Sequence, residues 1–169
     1  MRALILGLGN EIAGDDAVGI LVARGVRDRF ADHAEIDVVE SGASGLALLE
    51  VFAGYDRAIV IDSILTGRHA PGTILEMGMD RIGKVDAPSV HQAGLPELAA
   101  VAARLGLGFP MQTRVLAVEV VDTTTLGAPM SEPVAAAVDA LVGRVCARVR
   151  AWEEGPEVLP CTTTTPSRS

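Results

Sequence analysis

The sequence predicts a three-layer α/β domain in which a central, mostly parallel, twisted sheet of about five strands is covered by helices on both faces. Three observations predict it. The short continuous apolar runs Ala3-Leu4-Ile5-Leu6 and Ala58-Ile59-Val60-Ile61 have the composition of strands buried on both faces. Segments with apolar residues three and four apart alternate with such runs, the order expected of strand–helix–strand units. Composition permits the core: 49% of the 169 residues are hydrophobic and 21% charged, and a chain of this length removes roughly 70% of its accessible surface on folding.

Element by element, Ala3 to Leu6 is the first strand, ended by Gly7. Val18, Leu21, Val22, Val26 and Phe30 share one helical stripe while Arg24, Arg27 and Asp28 face away. Ile36 to Glu40 is the second strand, Ser41 to Ser44 a turn, Leu46 to Phe52 a second helix and Ala58 to Ile61 a third strand. Gly67, Pro71 and Gly72 lead into a shorter strand near Thr73 to Met77, and an irregular stretch then runs to Val90. Loops of that length inside domains are commonly functional or disordered. Gly94 precedes a third helix with Pro96 in its first turn and Leu95, Leu98, Ala99, Ala102 and Leu105 on one stripe. Arg114 to Val121 is a further strand. Val134, Val138, Leu141, Val145, Val149 and Trp152 mark the last helix, with Arg144, Arg148 and Arg150 complementing its carboxyl-terminal dipole. One domain is expected over residues 1–154, followed by a polar, disordered tail over 155–169.

Fourteen Lys and Arg against 22 Asp and Glu give a net charge of -8, the wrong sign for neutralising nucleic-acid phosphates. The run at Ala3 to Leu8 is too short for a signal-peptide core or a membrane span. Cysteines at 146 and 161, one in a helix and one in the tail, fit a reducing compartment. The expectation is a cytoplasmic protein that binds no nucleic acid and inserts in no membrane.

In open α/β sheets ligands bind beyond the carboxyl ends of the strands. The first strand delivers Gly7-Leu8-Gly9-Asn10 and then Asp15-Asp16, the second Glu40, the third Asp62, and His91 opens the approach to the third helix. Two carboxylates and an imidazole from separate connections are the donors a divalent cation accepts. Simpler roles fit the same residues: Asp15 or Asp16 as a helix cap, Asp62 as the start of a turn, His91 as a loop histidine like His33 and His69. Gly14 stands one position too late for a dinucleotide fingerprint, and no G-x-S-x-G elbow or phosphate-binding G-x-x-x-x-G-K-[ST] loop is present.

Four patches, Gly7-Leu8-Gly9-Asn10 with Gly14-Asp15-Asp16-Ala17-Val18-Gly19, Glu40-Ser41-Gly42-Ala43-Ser44-Gly45, Ile59-Val60-Ile61-Asp62, and Ser89-Val90-His91-Gln92-Ala93-Gly94-Leu95, together resemble the hydrogenase maturation endopeptidases. Those enzymes remove a carboxyl-terminal peptide from the large-subunit precursor of nickel-iron hydrogenases. The resemblance spans residues 1 to 153 and implies that Asp16, Asp62 and His91 are both catalytic residues and metal ligands. It implies nickel, presented by the precursor, as the metal, other divalent ions being able to occupy the same donors. Some members carry Glu where this chain has Asp16, and the second patch, often Gly-Gly-Thr, here reads Ser41-Gly42-Ala43. Two carboxylates about 4 Å apart repel by ~4 kcal/mol at an effective dielectric near 20, a conflict a divalent ion removes. The implied chemistry is attack by a metal-activated water, or by water deprotonated by an acid acting as general base. The alternatives are an esterase like peptidyl-tRNA hydrolase, whose chain also opens with a strand and a Gly-Leu-Gly-Asn turn, and a nickel-binding assembly chaperone without cleavage.

Overall fold

The computed structural model describes residues 1–79 and 94–153. His91, Cys161 and the tail from 155 onward lie outside them. Strand β1 (Ala3–Leu8) is buried along its whole length, as its unbroken apolar sequence demands. It pairs in parallel with β2 (Ile36–Ser41) on one side and β3 (Arg57–Ile64) on the other. Beyond β3 lie β5 (Gln112–Glu119), also parallel, and the antiparallel edge strand β4 (Ile74–Gly78), giving the order β2-β1-β3-β5-β4.

Period-two alternation distributes side chains to two cores. Ile5, Ile59, Ile61, Leu116 and Val118 pack against helices α1 (Val18–Arg29) and α4 (Glu132–Glu153). Leu4, Leu6, Val60, Val115 and Ala117 pack against α2 (Leu48–Phe52) and α3 (Leu95–Leu105). Side chains such as Phe52, wholly removed from water, each contribute about 1.5–3 kcal/mol of apolar transfer. The expected α/β architecture is therefore present, with two α-helices on each face among the described residues.

Several element boundaries differ from expectation, each for a local reason. β3 continues past Ile61 through Asp62, Ser63 and Ile64, because β5 goes on pairing with it as far as Ile64↔Glu119. β5 begins and ends two residues earlier than Arg114 to Val121. The Val120 N–H donates to the carbonyl of Ile64, the last residue of β3, and the Val121 N–H turns to the Asp15 side chain, so the pairing ends there. A 3-10 turn, Gly14–Ala17, precedes α1, and another, Gly45–Ala47, precedes α2. Leu105, placed by periodicity on the buried stripe of α3, is 64% exposed at the helix end, where Gly106 in a left-handed conformation stops the turn. Leu21 is likewise exposed on α1.

Candidate active site at the carboxyl end of the sheet

The strand order places a topological switch between β1 and β3: from β1 the chain crosses by α1 to β2, then returns by α2 to β3 on the far side of β1. A crevice opens outside the carboxyl ends of two strands that diverge in this way. Here β3 outruns its neighbour, because β1 pairs with it only as far as Gly7↔Ile61. The turn leading into α1 occupies the step left beside Asp62 and Ser63.

Glycine makes that close approach possible. A methyl group on Gly19 would lie 2.1 Å from the Leu8 carbonyl oxygen and 2.5 Å from that of Ile61. Gly9, at a φ of 144°, leaves room for the Asp16 backbone, whose oxygen would sit 1.9 Å from an added Cβ. The start of α1 is thus seated directly on the strand ends, and the acids before it are carried into the rim.

The adjacent acids have different employment. Asp15, 4% exposed, accepts hydrogen bonds from the Val121 N–H (3.0 Å), the Ser131 N–H (2.6 Å) and the Ser131 hydroxyl (2.9 Å). It ties the segments before α4 to the rim. Asp16, 6% exposed, instead accepts at Oδ1 from the Ser63 hydroxyl at 2.6 Å. Neither acid makes a side-chain cap on the turn or on α1, which removes the capping alternative.

Asp62 is fully buried and sits inside the strand, paired opposite Ala117, so it does not begin a turn. Its Oδ1 accepts the Ser63 backbone N–H at 2.8 Å. By strand alternation Asp62 shares the face of Val60 and Ile64, while Ser63 shares that of Ile61. The two carboxylates therefore approach one residue from the two layers of the fold.

Neighbouring acids serve the frame. Glu119, 1% exposed, accepts from the Thr66 N–H (2.8 Å), the Thr66 hydroxyl (2.7 Å) and the Gly67 N–H (2.8 Å), ordering the chain beyond β3. Glu40, at the end of β2, is bound by Arg24 at 3.0 Å and Arg27 at 2.6 Å. Burial pushes the Glu40 carboxyl up, but the two guanidiniums outweigh it and hold the acid below its usual range. His33 stacks edge-on against Phe30, away from this rim.

Asp16 and Asp62 are thus brought together, and His91 lies outside the described residues. Sequence reasoning passed over Ser63. The signal was the alternation itself, which continues through Asp62 and assigns the next residue to the face from which α1 enters.

A family model for hydrogenase maturation proteases matches residues 20–148. The chain belongs to the hydrogenase maturation protease family. It is 26% identical over 162 residues to the hydrogenase 2 maturation protease of Escherichia coli (strain K12), covering 95% of this chain and 96% of that one. It is also 26% identical over 154 residues to the hydrogenase expression/formation protein HupD of Rhizobium leguminosarum bv. viciae, covering 89% and 75%. In fold it resembles the hydrogenase maturating endopeptidase HybD from E. coli, with a TM-score of 0.75 at 24% identity over 92% of this chain and 94% of that one. The corresponding protein of Thermococcus kodakarensis gives 0.62 at 25% identity, over 88% and 99%. Family membership makes this chain a hydrolase of the protease class acting in hydrogenase maturation. Among the described residues no helix is long and apolar enough to cross a membrane.

Proposed function

We propose that this hydrogenase maturation protease removes the carboxyl-terminal extension of a nickel-iron hydrogenase large-subunit precursor that already carries nickel, and that Asp16, Asp62 and His91 receive that metal. The observation that carries the reading is the pair of buried carboxylates met by a single residue at the β1/β3 switch point. The donor chemistry fits: carboxylate oxygen and imidazole nitrogen suit nickel and other first-row divalent ions.

The nickel belongs to the substrate. When in place it supplies Lewis-acid polarisation of a carbonyl or of water. The chain's own contribution is to hold two carboxylates at fixed positions, and an ionised acid at this rim can also take the proton of an attacking water. We place the reaction in the cytoplasm, a reading supported by the free, buried thiol of Cys146.

The test is incubation of purified precursor, nickel-loaded or nickel-free, with the wild type and with Asp16→Ala, Asp62→Ala and His91→Ala, followed by mass measurement of the large subunit. Loss of the extension is expected only for the loaded precursor with the wild-type protein. Cleavage retained by any two variants would overturn the shared assignment, and metal transfer without loss of mass would identify a chaperone.

A further inference from the structure

Ser63 is 1% exposed and stands where β3 has outrun β1. Its hydroxyl donates to Asp16 Oδ1 at 2.6 Å and its backbone N–H donates to Asp62 Oδ1 at 2.8 Å. The first distance lies in the range of hydroxyl–carboxylate bonds, about 2.5–2.7 Å, which are roughly twice as strong as neutral ones. We propose that Ser63 is a positioning residue of the active site, its side chain orienting Asp16 while its backbone orients Asp62. The inference rests on the proposed role of those two acids.

The geometry gives Ser63 a task for each acid. Asp62 is held by the strand that carries it, and its bond to the next N–H is local. Asp16 arrives on a turn from the other layer, 47 residues away in sequence from the hydroxyl it meets. An Asp side chain has an arm shorter by one methylene than Glu and less reach to correct its own aim. The hydroxyl anchors one carboxylate oxygen at the strand end and thereby sets the direction of the other. Burial keeps Ser63 Oγ away from a peptide carbonyl, so the role is orientation and not nucleophilic attack.

Three variants test it in the full chain: Ser63→Ala, Ser63→Thr and Ser63→Cys. With nickel-loaded precursor, Ser63→Ala should lower kcat by about 10–100-fold, the scale found when partners that orient metal-binding groups are removed. KM should stay within about twofold, because orientation acts on the reacting groups and not on precursor docking. Ser63→Thr, which keeps the hydroxyl, should restore most of kcat. Ser63→Cys, near in size with a weaker donor, should fall between them. Crystal structures of the variants without precursor supply a readout independent of activity. Asp16 should adopt more than one rotamer in Ser63→Ala and return to a single position in Ser63→Thr.

Full kcat in Ser63→Ala, or an Asp16 carboxylate unmoved in that variant, would overturn the proposal. If the wild type itself cleaves no precursor, the proposed substrate is wrong, and the Asp16 rotamer alone decides whether Ser63 positions it. If Ser63→Ala fails to fold, the comparison of wild type, Ser63→Cys and Ser63→Thr decides, an unmoved Asp16 and equal kcat in all three counting against the role.

Discussion

At the amino end of the sheet Arg2 meets Asp37 at 2.6 Å and the amino terminus meets Glu35 at 2.9 Å, with every one of these side chains more than a third exposed. At the carboxyl end Asp15, Asp16, Asp62 and Glu119 are all at most 6% exposed, and Ser63, Thr66, Val121 and Ser131 supply hydroxyl and backbone donors to them. Both rims belong to the same strands. Water screens the first set, so each pair adds about 0–1 kcal/mol. The second set is taken out of water, where hydroxyl and backbone N–H donors meet the acids at 2.6–3.0 Å. A rim built in this way is costly to fold and attractive to a cation. The difference separates surface charge screened by water from buried charge held by the fold, and the two acids of the proposed site, Asp16 and Asp62, belong to the buried set. A cavity of about 270 Å³ at the amino end is lined by Met1, Glu35, Arg57 and Trp152, and its lining holds no such acid pair.

The sharpest way to break the comparison is at the buried acids. Asp16→Ala or Asp62→Ala should cut precursor cleavage by on the order of 10²-fold or more, while the melting temperature holds or rises as like-charge repulsion is relieved. Product mass and thermal melts on the same preparations measure both, and a parallel fall in stability and activity would mark the acids as structural. Next comes the seat of α1. Gly19→Ala puts a methyl group 2.1 Å from a backbone oxygen, and a loss of about 3 kcal/mol is expected, the upper end of the usual overpacking cost. An unchanged urea midpoint would show that the rim can open without penalty.

Asp15→Ala leaves the Val121 and Ser131 donors without their acceptor, a loss of about 2 kcal/mol. Faster amide exchange at Val121 and Ser131 would be its local signature, and unchanged exchange would count against the tie. The smallest effect belongs to the amino end. The Arg2 guanidinium, aided by the Tyr55 hydroxyl, holds the Asp37 carboxyl below its ordinary range. The stabilisation is therefore present above the unfolded carboxyl pKa of about 3.9 and disappears as pH falls through the lower folded value. Asp37→Asn should cost at most about 1 kcal/mol at neutral pH and nothing once the acid is protonated. Urea midpoints at neutral pH and near pH 2 test this, and an equal deficit at both would reveal a packing role instead.

Much of this was legible in the chain because the signals are local. Unbroken apolar runs mark β1 and β3 wherever they fold, and three-and-four spacing marks α4, whose Val134, Leu141, Val145 and Val149 are at most 1% exposed. The position of Asp62 at the carboxyl end of a buried strand follows from the same run. Residue chemistry left open which acid of the Asp15-Asp16 pair turns to the proposed site; the resemblance pointed to Asp16, and the fold supplies the physical reason. Side by side they are chemically identical, and the donors that claim Asp15 are 106 and 116 residues distant. Where β5 stops was also a tertiary matter: Val120 and Val121 continue the apolar pattern, but β3 ends at Ile64 and the Val121 N–H goes to Asp15. The place of Ser63 depended on two strands ending at different heights, which pairing sets and periodicity does not record. Composition and spacing determine which segments bury themselves; only the packed sheet determines which polar groups at their ends meet, because those meetings depend on distances in space that the order of residues does not carry.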